Sequence, residues 1–108
     1  MTFEEYQRLA HSVSGETEFT RQLLMGAIGL CGESGEVADI VKKNIFHAHP
    51  NDSLGALREE LGDVLWYIAE LCSALNYSLE GIAEGNIKKL QARYPDGFSS
   101  ERSIERKF

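Results

Sequence analysis

Two acidic pairs, Glu33-x-x-Glu36 and Glu60-x-x-Asp63, stand in the two most apolar stretches of the chain. Three-residue spacing keeps both members of a pair on one helical face, about 60° apart around the axis. Two such helices packed side by side bring four carboxylates toward one point. Like charges gathered in a half-dry space raise one another's pKa and cost stability, and a divalent cation relieves that repulsion. The donor set is all oxygen, which suits Mg²⁺, with Mn²⁺ as the alternative. Such an ion keeps some of its waters and binds substrate phosphates, so the pattern points toward phosphoryl or nucleotidyl chemistry.

A lone ExxE pair on a helix is ordinarily a solvated face and carries little information. Here the setting is different: Glu33 and Glu36 are embedded among Leu30, Cys31 and Val37, and Glu60 and Asp63 among Leu57, Leu61, Val64 and Leu65. Asp39 and Glu59 are read as surface ion-pair residues. A di-iron carboxylate bundle needs Glu-x-x-His pairs. The histidines at 11, 47 and 49 never fall three residues after a glutamate, and His47-x-His49 has no third ligand for zinc. Cations for phosphate are at hand: Lys42 and Lys43 end the helix of the first acidic pair, and Lys88, Lys89 and Arg93 share a later helix with Asn86. Lysines near a helix C-terminus are also favoured by the dipole alone, whereas Asn86 has no propensity reason to sit in a helix interior. Trp66 and Tyr67 follow Asp63 and have the faces to stack a base, although aromatics in a small bundle more often fill the core.

The elements that must position these groups are all helical, since no stretch alternates with period two. Thr2 and Glu5 make a capping box for a first helix with Phe3, Tyr6, Leu9, Ala10 and Val13 on one face, ended by Ser14-Gly15. A second helix begins between Thr17 and Thr20 and runs to about Asn44. A loop from Phe46 to Asp52 contains Pro50, and Ser53 caps a third helix whose stripe is Leu54, Leu57, Leu61, Val64, Leu65, Ile68, Leu71 and Leu75. Asn76-Tyr77 turns, Ser78 caps a fourth helix to about Arg93, and Pro95-Asp96-Gly97 stops it. Residues 99–108 read as a polar tail or one loose helical turn. Gly26, Gly29, Gly32 and Gly35 recur every three residues in the second helix, each at about 1 kcal/mol relative to Ala. Close helix approach or ligand access to backbone offsets that cost; the alternative is a kinked second helix.

At 108 residues the chain is read as one domain, 1–108. Its formal charge of −6, from 17 acids against 11 Lys and Arg, argues against a nucleic-acid or anionic-membrane surface. There is no apolar run long enough to span a bilayer and no signal-peptide pattern at Met1-Thr2-Phe3-Glu4-Glu5, so a cytoplasmic protein is expected. Cys31 and Cys72 read as small buried hydrophobes. Apolar surface on nearly every side of the second and third helices makes a monomer an unexpected state.

The segments Leu30-Cys31-Gly32-Glu33-Ser34-Gly35-Glu36-Val37-Ala38-Asp39, Leu57 to Tyr67 and Asn86 to Pro95, with Gly97-Phe98-Ser99 and Arg106, resemble the MazG-like nucleoside triphosphate pyrophosphohydrolases of the all-α NTP pyrophosphatase superfamily. The resemblance covers roughly residues 20 to 106; the family often has a further Glu where Gly32 stands, while all four motif acids are present. It implies an all-α bundle of four to five helices assembled as a homodimer or homotetramer, with Mg²⁺ held by Glu33, Glu36, Glu60 and Asp63. The implied reaction converts a (d)NTP to (d)NMP and pyrophosphate, in a nucleotide-pool house-cleaning role. Glu33 or Glu36 would be the catalytic base. Lys42, Lys43, Lys89 and Arg93 would face the pyrophosphate, Asn86 a phosphate or sugar hydroxyl, and Trp66 and Tyr67 the base. Dimeric dUTPases and phosphoribosyl-ATP pyrophosphatases share this scaffold, and a metal-dependent nucleotide-sensing or dimerisation module without catalysis is the other reading.

Overall fold

The protein, seen in a computed structural model that describes residues 1–49, 51–98 and 100–105, is helical throughout those residues. The order is α1 (Phe3–Ser14), α2 (Phe19–Phe46), a 3₁₀ segment (Asn51–Ala56), α3 (Leu57–Ala74), α4 (Leu79–Arg93) and α5 (Ser100–Glu105). The all-α expectation holds, and the short α5 stands where a polar tail or one loose helical turn is expected.

Local chemistry explains most of the boundaries. The Thr2 hydroxyl accepts from the Glu5 amide at 3.1 Å, and Gly15 closes α1 at φ 64, a left-handed position that favours glycine. Glu18 caps α2 through its carboxylate, which accepts from the amides of Thr20 and Arg21. Ser78 caps α4 by accepting from the Gly81 amide at 3.0 Å, and Asn76 makes the preceding turn at φ 58. One boundary differs from the sequence expectation. Ser53 lies inside the 3₁₀ segment, and α3 begins three residues later than its apolar stripe, with Ala56 at its N-cap and no side-chain cap. The tighter 3₁₀ turn takes up Leu54 before the α-helix starts. Pro50, expected as the breaker, lies outside the described residues, as does Arg106.

Helices α2 and α3 form the antiparallel centre of the fold. Going up α2, Gly26 faces Leu71, Gly29 faces Tyr67, and Glu33 faces Glu60, so the partner numbers fall as the chain rises. A Cβ on Gly26 would stand 2.7 Å from the Leu71 Cγ, and one on Gly29 would enter the Tyr67 ring. Gly32 and Gly35 meet nothing within 4 Å. The glycine repeat therefore divides: its first half permits close helix approach, its second half leaves backbone open beside Glu33 and Glu36. α2 is one unbroken 28-residue helix.

α1 packs mainly on α3 and is fixed by polar contacts. The Trp66 indole donates to the Ala10 carbonyl at 3.1 Å. Gln7 donates to the Tyr77 carbonyl at 2.8 Å and accepts from the Leu79 amide at 2.9 Å, holding the α3–α4 corner. The apolar core of the single chain is thin: Ala10, Ala69, Cys72 and Leu79 are buried, with Tyr6, Leu65, Trp66 and Ile68 packed against them. Cys72 is buried as expected, but Cys31 is exposed. On α2 it falls about 180° around the axis from the stripe Gln22, Gly26, Gly29 and Glu33 that meets α3. Leu24 and Ile28 share that outer side and are also exposed. The radius of gyration is 16.9 Å, against about 13 Å for a compact domain of this size.

The two classes of glycine make a direct test. Gly29→Ala should destabilise the protein by about 1–3 kcal/mol through overpacking against Tyr67. Gly32→Ala should be neutral or stabilising by up to ~1 kcal/mol, from helix propensity alone. Urea unfolding of the two variants measures both.

Candidate functional site

At the far end of the α2–α3 seam the packing gives way to acids. Glu33 and Glu36 come from α2 and Glu60 from α3, and one carboxylate oxygen from each lies within 4.8 Å of the others. Among the described residues this is the group of three side chains placed to hold a metal ion. Asp63, the fourth acid of the expected set, stands outside the cluster and is exposed. It lies about 60° around α3 from Glu60, toward the side where Trp66 meets α1, so the antiparallel register that aligns Glu60 with Glu33 leaves it on the shoulder. Its charge still reaches the site, because it helps to raise the pKa of Glu60.

The electrostatics are those of an uncompensated cluster. The Glu60 carboxyl is pushed above the ordinary glutamate range, first by its hydrogen bond with Glu33, then by desolvation, then by the charges of Glu33 and Asp63. Oε2 of Glu33 is buried and has no hydrogen-bond partner. A buried carboxylate oxygen without a donor is costly. Three carboxylate oxygens within 4.8 Å of one another, beside a buried Glu33 oxygen that has no donor, fit a hard divalent cation. The donor set contains no nitrogen or sulfur, which favours Mg²⁺ or Mn²⁺ over zinc or iron.

The other expected site residues are placed as follows. Lys42 and Lys43 both pair with Asp39, at 3.4 and 2.7 Å, on the exposed end of α2. That bears out the ion-pair reading of Asp39, whose carboxyl is held below its usual range first by Lys43. Asn86 and Lys89 are exposed along α4, and Arg93 is half-buried at its end. α4 packs mainly on α1 and the end of α3, so the structure does not bring these residues to the acid cluster within one chain. Trp66 is committed to the Ala10 carbonyl, and Tyr67 lies over Gly29 with its ring edge-on to Trp66 at 5.1 Å. Both aromatics serve helix packing in this arrangement. Tyr6 was legible in the sequence only as part of an apolar face, yet its phenol is raised first by burial and then by the charge of Asp63. His47 and His49 are exposed, and Glu59 is exposed on α3.

The comparison with known families matches residues 19–98 to the MazG nucleotide pyrophosphohydrolase domain. The chain belongs to the MazG family. The matched residues run from the start of α2 to the end of the α4 corner and contain all four motif acids, while α1 lies outside them. The MazG chain is also 34% identical over 87 residues to the Gene 37 protein of Mycobacterium phage L5, covering 78% of this chain and 76% of the phage protein. No solved structure matches. Among the described residues, no helix of this MazG protein is long and apolar enough to cross a membrane.

The raised Glu60 carboxyl sets the pH dependence. Its protonated form is favoured by the fold, so its contribution to stability is present below the ordinary glutamate pKa and is lost as pH rises through the raised value. Metal-free protein should therefore lose thermal stability on going from mildly acidic to neutral pH, and Mg²⁺ should raise Tm more at neutral than at acidic pH. Glu60→Gln should flatten both trends. Differential scanning fluorimetry with and without Mg²⁺, across pH, measures them.

Proposed function

We propose that this MazG protein is a divalent-metal-dependent hydrolase that cleaves a (d)NTP between the α- and β-phosphates, giving (d)NMP and pyrophosphate. One observation carries the reading: oxygens of Glu33, Glu36 and Glu60 converge while a buried oxygen of Glu33 has no donor. Membership of a nucleotide pyrophosphohydrolase family names the reaction class that such a cluster serves. Glu33, Glu36 and Glu60 would hold the ion, with Asp63 completing the set by a change of side-chain rotamer. A bound Mg²⁺ supplies charge neutralisation for the triphosphate and Lewis acidity at the phosphates.

The chain's own residues do the rest. Glu33 or Glu36 takes the proton of a water directed at the α-phosphorus, the new P–O bond forms, and the bond to the α,β-bridging oxygen breaks. Lys42 and Lys43 exchange Asp39 for the negative charge of the departing pyrophosphate, since a surface ion pair is weak enough to be replaced by a phosphate. Asn86, Lys89 and Arg93, which one chain does not bring to the acids, would bind phosphates or the sugar from a second chain of the assembly, and Trp66 and Tyr67, whose rings pack the helix seam, would border the base. The exposed apolar residues Leu24 and Ile28 on α2, Leu61 on α3, and Ile82 and Ile87 on α4 support assembly as a homodimer or homotetramer. A single catalytic domain over 1–108, acting on free nucleotides in the cytoplasm as a house-cleaning enzyme, completes the reading; the net charge of −6 speaks against nucleic acid as a partner.

Incubating the protein with Mg²⁺ and a panel of ribo- and deoxyribonucleoside triphosphates, with pyrophosphate and phosphate assayed separately, tests the reaction. Pyrophosphate release is expected. Mg²⁺-dependent nucleotide binding with no product from any substrate would make it a sensing module. Glu33→Gln, Glu36→Gln and Asp63→Ala should each lower turnover by about 10²-fold or more with helix content unchanged by circular dichroism. Light scattering should give a mass of at least two chains.

A further inference from the structure

α2 carries a second face that the single chain leaves open. Its inward side is taken up within the chain: Gln22 is buried against Glu70 and His11, Gly26 and Gly29 lie on Leu71 and Tyr67, and Glu33 meets Glu60. On the outer side Leu24, Ile28, Cys31, Gly35, Ala38 and Ile45 recur at alternating four- and three-residue steps, with Lys42 filling the one gap. All are exposed, Ile28 to 68%. From Gln22 to Ala38 the charges on α2 are Glu33 and Glu36, which belong to the acid cluster. A solvated helix face ordinarily carries charge. An exposed face without it, in a chain that is 26% charged, has the composition of an interface core.

We infer that this face is a seam on which a second copy of the chain packs, α2 against α2, antiparallel about a two-fold axis level with Glu33. The four-three repeat, kept over about three heptads and about 30 Å, is the spacing by which helices interlock. With the axis there, Ile28 lies opposite the partner's Ala38, Cys31 opposite the partner's Gly35, and Leu24 opposite the partner's Lys42. Each bulkier side chain meets a small one or a flexible stem, as close helix packing requires. The parallel alternative sets Ile28 on the partner's Ile28, Gly35 on the partner's Gly35 and Lys42 on the partner's Lys42: a bulge, a gap and a like-charge contact. In the antiparallel register the aliphatic stem of Lys42 covers Leu24 while its ammonium stays with Asp39 at 3.4 Å. Arg21, at the other end of the stripe, is paired with Glu16 at 2.7 Å. Both cations at the ends of the seam are thus neutralised within their own chain.

The seam also accounts for Gly35. A Cβ there meets nothing within 4 Å in one chain, so its helix-propensity cost of about 1 kcal/mol is not offset by any contact inside the chain. Close approach of the partner's Cys31 offsets it. A face whose large and small residues complement each other on reversal fits an isologous pair, in which both copies use the same patch. Glu33 sits about 160° around α2 from Cys31, so the pair keeps its two acid clusters on the outer sides, open to nucleotide. The seam gives one contact of the assembly proposed above; it rests on that assembly and not on the metal reading.

Light scattering and thiol labelling test the seam on the intact chain. Cys72 is buried, so Cys31 is the thiol that a maleimide reaches. Ile28→Glu puts a charge into the seam and disturbs nothing inside the single chain, where Ile28 is exposed. Its mass should fall to half that of wild type, and its Cys31 should react at least about tenfold faster. In a Cys31→Ser background, mixing Ile28→Cys chains with Ala38→Cys chains should give a mixed disulfide that neither forms alone, because each position lies about 15 Å along the axis from its own copy. Disulfides formed by either variant alone would show a parallel pair and overturn the inference. A wild-type mass of two or more chains, unchanged by Ile28→Glu and with Cys31 reacting as a free thiol, would overturn the seam and leave the assembly on another face. A wild-type mass of one chain would overturn seam and assembly together, while pyrophosphate release, assayed separately, decides the hydrolase reading.

Discussion

Everything downstream of the sequence depends on how closely α2 and α3 approach. Where Gly26 meets Leu71 and Gly29 meets Tyr67, the helices touch through backbone and side chain with no Cβ between them. Side chains on both helices would push the axes apart, and the acids a turn further along would separate with them. Each glycine costs about 1 kcal/mol of helix propensity. That cost sits where the spacing is set and continues, at Gly32 and Gly35, where open backbone flanks the acids. The glycines and the glutamates are therefore one arrangement: the first pair of glycines brings Glu33 opposite Glu60.

The same close pairing leaves apolar surface open on the chain. With one stripe of α2 used against α3, Leu24, Ile28 and Cys31 are left on the opposite side, and among the described residues the buried apolar group is the small one of Ala10, Ala69, Cys72 and Leu79. A helix hydrophobic on two sides is buried on two sides in a finished fold. α4 has the same character, since Ile82, Ile87 and Leu90 are exposed beyond its contact with α1. These open apolar faces are the surface on which the proposed homodimer or homotetramer would form.

Much of this was legible in the residues. Thr2, Gly15, Asn76 and Ser78 mark their boundaries by local chemistry that tertiary contacts do not override. The convergence of Glu33, Glu36 and Glu60 followed from spacing and an apolar setting. What stayed hidden depends on register and rotation. Nothing in the Glu60-x-x-Asp63 spacing says which of the two will face Glu33, and Cys31 sits in an apolar string while its azimuth puts it outside. Ser53 is a good cap residue displaced by a 3₁₀ turn. Trp66 and Tyr67 carry identical chemistry whether they stack a base or seal a helix seam, and the hydrogen bond to Ala10 is a tertiary fact. Glu70 left one trace, an acid between Ala69 and Leu71 in an apolar run, but its partners His11 and Gln22 lie on other helices.

Glu60 and Glu70 sit on one helix, ten residues apart, and each reaches toward α2. The fold treats them in opposite ways. Glu70, with no solvent access at all, receives a histidine nitrogen and an amide from two other helices. Glu60, at the edge, receives another carboxyl, Glu33, and the charge of Asp63 beyond it. Lys42 and Lys43, further along α2, are held by Asp39 instead. Among the described residues the fully buried acid is satisfied by the chain's own side chains, while the cluster nearly three helix turns away gathers three carboxylates and a buried oxygen with no donor. This contrast within one helix supports the proposed reading of the cluster as a cation site, and it needs no reference to the family to be seen.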